Sequence, residues 1–430
     1  MDRAKRRPRS PIVRALSPLR DFVATEASGA ILLAIGAFAA LVWANSPWSG
    51  SYESLWSSRA ALTVGGHTLD LDLRHWINDG LMTVFFFVVG LEIKRELTDG
   101  HLATRRAALL PGAAALGGMV VPAMIYLAIA GSTAARGWAI PMATDIALAV
   151  GVLAVAGSRI PSSLRAFLLG LAIVDDIGAI VIIAVVYSSG VAFGWLAAAA
   201  AGVVTTLAVR RLGVFATWVY VLIGAVVWFS LHEAGIHPTL AGVAMGLLAP
   251  SVPRLSPDLV DVEELADVSD ATAAHTTTEL ARGSVSVVEW LQHILHPWTS
   301  YVIVPIFALA NSGIEISSNG LSDAIGSPIF WGVLLGLLAG KPIGIMLATK
   351  AAIRSGIADR PEGSTSVQIV GIGLAAGIGF TVALFITELA LEDPTDQATA
   401  KLAILAASVL AAIGASLLLT RGDRDRDASG

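Results

Sequence analysis

Two adjacent acids, Asp175 and Asp176, stand at the tenth and eleventh places of Ala166 to Tyr187, a 22-residue run that is otherwise apolar. At about 1.5 Å per helical residue, such a run spans a hydrocarbon core of roughly 30 Å, which puts both carboxylates near mid-bilayer. One ionised carboxylate at that depth costs about 2.5–3.5 kcal/mol on insertion scales, so two in a row require a wet cavity or a cation. A buried acid pair has few comfortable states: both ionised around a cation, or neutralised by protons that replace it. Alternation between those states is cation/proton exchange. Consecutive helical residues project about 100° apart, so one acid is expected to face the cation path and the other a neighbouring helix. The competing reading has both acids satisfying helix ends or pairing with a basic residue.

Lys341 is the thirteenth of the 22 residues from Ile329 to Lys350, again near mid-membrane. An ammonium there requires a counter-ion. Pairing with Asp175 or Asp176 when no cation is bound would let sodium break the pair and so link proton release to sodium binding. The alternative is a static ion pair that fixes packing. Thr144 and Asp145 close Pro141-Met142-Ala143-Thr144-Asp145, which puts a proline, a hydroxyl and an acid inside another apolar run. Gly371, Gly373, Gly377 and Gly379 precede Phe380-Thr381 in a third, where helix propensity is weak. If two such broken helices cross, like ends meet; Asp145 is then placed to neutralise facing N-termini and Lys341 facing C-termini.

The elements that must hold these residues follow from composition. The 430 residues are 55% hydrophobic and 14% charged, which places the chain among all-α polytopic membrane proteins. With no cysteine, disulfides, thiol catalysis and thiolate metal sites are excluded. No phosphate-cradling GxxxxGK[ST] occurs, so ATP is not the expected energy source, and no cofactor or nucleic-acid partner is expected. Twelve spans are predicted at about 27–44, 76–93, 107–130, 138–156, 164–187, 191–209, 214–231, 236–250, 298–314, 329–350, 367–390 and 400–420. With both termini in the cytoplasm, 23 of the 28 Lys and Arg fall on the cytoplasmic side. Outside lie Arg59, Arg74, Arg136 and Lys401, a bias that fixes orientation and supports an even span count. The basic N-terminal tail, 1–26, precedes an apolar run too long for a signal peptide, so an uncleaved first helix is expected. Residues 27–420 read as one transporter domain and 421–430 as a second cytoplasmic tail. The interruptions in spans four and eleven make spans 3–5 and 10–12 matching triplets, the sequence signature of inverted repeats.

Two loops stand out. Ala61 to Leu73, ALTVGGHTLDLDL, alternates around Gly65-Gly66 and predicts an extramembrane β-hairpin. Residues 251–297 are polar and acidic at first, expected to be disordered there, and then amphipathic over Val285 to Leu295, a short helix entering span nine. Three further groups can titrate near neutral pH or report on it. His237 opens span eight, His293 and His296 lie three apart before span nine, and Glu92 ends span two beside Lys94, Arg95 and Glu96. Each also has a plain interfacial reading. Asp79, in WINDG, is expected near the outer end of span two.

Seven stretches carry a resemblance: WINDGLMTVFFFVVGLEIKREL (76–97), WAIPMATDIALAVGVL (138–153), LAIVDDIGAIVII (171–183), HPTLAGV (237–243), HILHPW (293–298), GKPIGI (340–345) and GIGFT (377–381). In colinear order from about residue 20 to 420, they resemble the NhaA family of bacterial sodium/proton antiporters. The resemblance implies twelve helices with inverted repeats, crossed broken helices four and eleven, and a homodimer joined partly by the hairpin. It also implies electrogenic, pH-regulated exchange of sodium or lithium for more than one proton across the inner membrane. Carried over, Asp175 and Asp176 match the family's ion and proton carboxylates, with sodium or lithium held there. Thr144 and Asp145, with Gly377, Gly379 and Thr381, match the broken-helix motifs and Lys341 the membrane lysine. Glu92, His237, His293 and His296 match positions implicated in pH response. Two departures touch that response: Gln292 stands where the family often has an acid, and the 251–297 loop is longer and more acidic. The rival within the class is a sodium-coupled symporter of an organic anion. The rival outside it, an intramembrane aspartyl protease, fails on its motif, since Gly377-Ile378-Gly379 is followed by Phe380 and the two acids are contiguous.

Overall fold

The structure is a computed structural model that describes residues 27–64, 67–100, 102–132, 134–157, 160–188, 190–214, 216–253 and 285–421. The acidic part of the 251–297 loop and both tails therefore lie largely outside the described residues. Long apolar runs fold as helices because lipid leaves the backbone no other partner. They are α1 (Ala27–Ala44), α3 (Leu73–Thr98), α4 (Arg105–Ala130), α7 (Ser162–Val186), α8 (Phe193–Arg211), α11 (Val287–Asn311), α13 (Pro328–Arg354) and α16 (Pro394–Arg421). Between them come α2 (Ser49–Trp56), the 3₁₀ helix α5 (Ala135–Met142), α6 (Ile146–Ala156), α9 (Thr217–Glu233), α10 (Thr239–Leu248), α12 (Ser318–Gly326), α14 (Ser366–Ala376) and α15 (Phe380–Ala390).

Eight of these, with α5 and α6 counted as one, are long and apolar enough to cross a membrane, and ten if each of two bent pairs is one span. The chain is thus a multi-pass membrane protein. Among the described residues the expected count of twelve is not reached on length. Helices α9 and α10 stand in the seventh and eighth places, but α10 has only 10 residues, about 15 Å of helix against a core of roughly 30 Å. Pro238 and Pro250, on either side of it, explain the truncation.

The first bent pair was not foreseen from sequence. Helix α2 leaves α1 at 117°. Asn45 fixes the corner: its amide nitrogen donates to the carbonyls of Leu41 at 2.8 Å and Ile314 at 2.7 Å, while its oxygen accepts the Ile316 N–H at 2.6 Å. The predicted hairpin follows as β1 (Arg59–Val64) and β2 (His67–Asp72), antiparallel, with Arg59 opposite Asp72 and Val64 opposite His67. Its turn glycines lie outside the described residues. The amphipathic helix expected to end near Leu295 instead runs on: after Trp298 a single π turn, Thr299–Ile303, carries it into Val304–Asn311. The side of the molecule bearing the hairpin is called the hairpin side below, and the opposite one, where α3 ends, the Lys94 side.

Helices pack here through small residues that let backbones touch. A Cβ added to Gly344 on α13 would strike the Gly117 carbonyl oxygen on α4, and one added to Gly117 would strike Gly344's. These helices open the two predicted triplets, so the contact joins corresponding members. Gly344→Val is expected to destabilise the fold by about 1–3 kcal/mol, because neither backbone can retreat. A lower melting temperature of the purified protein in detergent checks this.

An acid pair at two facing helix breaks

Both predicted breaks are present. The chain is extended over 143–145 between α5 and α6, and 377–379 separates α14 from α15 with a 47° bend. The breaks touch: the Asp145 N–H donates to the Ile378 carbonyl at 2.6 Å. Gly377 and Gly379 are required by closeness, since a Cβ at Gly377 would meet the Leu337 carbonyl oxygen at 2.5 Å. One at Gly379 would meet the Ala143 carbonyl oxygen at 3.0 Å.

Asp145 serves two helix N-termini at once. Its Oδ1 accepts the Leu148 N–H at 3.0 Å in the first turn of α6, and its Oδ2 accepts the Thr381 N–H at 3.0 Å and Thr381 Oγ1 at 2.7 Å at the start of α15. A carboxylate between two N-termini meets both positive dipole ends and their free amides. Thr144 works on the opposite polarity. Its hydroxyl lies 2.9 Å from the Ala376 carbonyl that ends α14 and 2.5 Å from Asp175 Oδ2, and it receives the Lys341 ammonium at 2.7 Å. Lys341 also forms an ion pair with Asp175 Oδ2, and neither side chain is accessible to solvent beyond 1%. The lysine therefore meets the C-terminal end of α14 through Thr144 rather than directly.

The two neighbouring acids have unlike surroundings, as their helical offset requires. Asp175 is held in the Lys341–Thr144 cluster, with Oδ1 buried and unbonded. Asp176 lines a cavity of about 120 Å³ and receives no hydrogen bond from the described residues. A cavity of that size holds several waters, or a cation with part of its hydration shell. Thr144, Asp145 and Thr381 reach the same cavity from the breaks, and Glu92 and His296 reach it from the Lys94 side. His293, one turn from His296, is exposed and is not among the lining residues, and His237 lies apart on the hairpin side beside Asp79. Sequence reasoning missed Thr299 and Ser300, which line the cavity from α11. The available signal was their spacing from His296, three and four residues on, which puts all three on one helical face.

The site thus combines a free carboxylate on a cavity large enough for water or a cation, a second carboxylate held by an ammonium, and two interrupted helices whose ends are compensated in opposite senses. A family model described as Na+/H+ antiporter 1 matches residues 20–419. The chain belongs to that antiporter family. Similar members include "Na(+)/H(+) antiporter NhaA 3" of Frankia alni, 45% identical over 407 residues, 93% of this chain and 88% of that one. "Na(+)/H(+) antiporter NhaA" of Oleidesulfovibrio alaskensis is 44% identical over 427 residues, 95% of each chain. "Na(+)/H(+) antiporter NhaA 2" of Myxococcus xanthus is 45% identical over 416 residues, 93% and 88%. All seven resembling stretches fall within the matched antiporter region.

Proposed function

We propose that this protein is an electrogenic sodium(lithium)/proton antiporter of a bacterial inner membrane, exporting sodium in exchange for inward protons by alternating access. The observation that carries the reading is the split between Asp175, tied to Lys341 and Thr144, and Asp176, bare on the cavity. Hard cations take oxygen ligands, and sodium or lithium entering from the Lys94 side meets Asp176 first. Completing its coordination draws Asp175 away from Lys341. As the cation takes both carboxylates, Asp176 gives up its proton and Lys341, parted from Asp175, gives up another; protons arriving from the other side return to these two groups and expel the cation. Because one cation displaces more than one proton, charge moves with each cycle. Asp145 and Thr144, with Gly377, Gly379 and Thr381, keep the crossing open and its dipoles compensated in both states.

An organic anion fits this cavity poorly. Three acids line it, Glu92, Asp145 and Asp176, and Lys341 is already engaged. The pH response falls to Glu92 and His296 at the cavity, with His293 exposed nearby and His237 on the hairpin side. The hairpin supports a homodimer, since an isolated two-stranded sheet is marginal in water and gains from a partner. In this reading both termini lie in the cytoplasm.

Reconstituted in liposomes, the protein is expected to raise internal pH when sodium or lithium chloride is added outside. Clamping the membrane potential with potassium and valinomycin is expected to accelerate the change. Unaltered internal pH rejects antiport, and a rate indifferent to the clamp rejects electrogenic exchange.

A further inference from the structure

The cavity that receives Asp176 stops short of the hairpin side on three helices at once. Its lining ends at Val304 on α11 and at Val382 on α15, while on α3 it runs from Glu92 back to Phe85. The next turn on α11 carries Phe307, the next turn on α15 carries Phe385, and Phe86 sits beside Phe85 on α3. The Phe385 ring lies 5.4 Å from the Phe86 ring and 6.4 Å from the Phe307 ring. Both are contacts across helices. Phe385 and Phe307 are wholly buried and Phe86 is 3% exposed, so no water path is left between the rings.

Beyond the rings the chemistry turns polar again. His237, which does not line the cavity, packs edge-on against Phe385, with ring centroids 5.0 Å apart. Its Nε2 is 3.8 Å from Asp79 Oδ1, and each of these side chains keeps 13% of its surface exposed. Two titratable clusters, Asp176 with Glu92 and His296 at the cavity and the partly exposed Asp79 with His237 beyond, are therefore separated by one layer of phenyl rings. An apolar constriction of this kind stops ions by excluding water, with no need for a charge. Its central ring belongs to α15, the element that starts at the helix break and whose first turn is held by Asp145. Phe86 and Phe307 belong to unbroken helices. A shift of α15 alone would part all of the contacts.

We infer that Phe385 is the hairpin-side gate of the ion path, closing it against Phe86 and Phe307 and admitting ions to Asp79 and His237 when α15 moves. This rests on the antiporter reading for its purpose, but its test needs no transported ion. The natural chain has no cysteine, so Val382→Cys places a single thiol in the cavity, one turn behind the gate. In sealed vesicles of known orientation, a membrane-impermeant maleimide is applied from either side. Adding Phe385→Ala is expected to speed labelling from the hairpin side about tenfold or more, since access to a buried site tracks how often its cover opens. Labelling from the Lys94 side stays unchanged, and Phe385→Leu, which refills the layer, keeps hairpin-side labelling close to that of Val382→Cys alone. Equal hairpin-side rates with and without Phe385→Ala overturn the proposal. Where that variant labels from both sides like the denatured protein, Phe307→Ala opens the same layer from the opposite wall, and equal hairpin-side rates there overturn it in turn. Failure of antiport in liposomes would leave these labelling rates standing as a separate result.

Discussion

Asp176→Asn is expected to reduce sodium-driven pH change in liposomes at least about thirtyfold while leaving the fold intact. With the cation bound, Asp176 and the cation form a buried charge pair, and truncating one member of such a pair costs about 2–5 kcal/mol. At about 1.4 kcal/mol per factor of ten, the loss falls between about 30-fold and 3,000-fold. An amide has the carboxylate's shape but neither its charge nor its proton, so it can neither complete a cation site nor replace the cation afterwards. The fold should tolerate the change because Asp176 receives no hydrogen bond from the described residues and borders open space. Melting temperature in detergent is therefore expected to stay near the native value. Exchange at the native rate in Asp176→Asn would remove the acid pair from the mechanism.

Charged residues inside apolar runs made most of this site legible. Asp175, Asp176 and Lys341 stand out because lipid tolerates no idle charge, and the structure brings Lys341 to Asp175. The breaks were legible from Pro141 and the glycines around 377, and the glycines have a steric cause in the carbonyls of Leu337 and Ala143. Which acid faces which way was not legible. The 100° offset guarantees that they differ, but the choice depends on where α13 lies, and that is set by glycine contacts with α4 more than 200 positions away. The same limit hid α2. Its eight residues, SGSYESLW, have no strong periodicity, and Tyr52 locks them by donating toward the carbonyls of Leu309 and Ala310, each at 2.9 Å. Thr299 and Ser300 passed as ordinary small residues of a span because hydroxyls are common there. The aromatic layer was invisible for a similar reason. Three phenylalanines on three distant stretches signal apolar core individually, and only their convergence on Phe385 gives them a role.

Lys341→Met is expected to be the most destabilising single change at the site. It removes the ammonium that holds the buried Asp175 carboxyl, leaving Thr144 as its remaining hydrogen-bond partner and Oδ1 unbonded. Removing one member of a buried ion pair costs about 3–5 kcal/mol, since the stranded charge has neither water nor counter-ion. The double variant Asp175→Asn/Lys341→Met should recover most of that stability. The asparagine keeps the hydrogen bond to Thr144, the methionine fills the lysine's volume, and replacing a buried pair with neutral groups of similar size is often close to neutral. Melting temperatures of the two single variants and the double variant form a cycle whose coupling is therefore expected to be large and favourable. Antiport is expected to be lost in Lys341→Met and to stay lost in the double variant, because a stable neutral pair offers sodium no charge to take from a lysine. If the costs merely add, the pair does not hold the crossing together. If exchange returns with the stability, Asp175 and Lys341 are scaffold and the cation is carried on Asp176 alone.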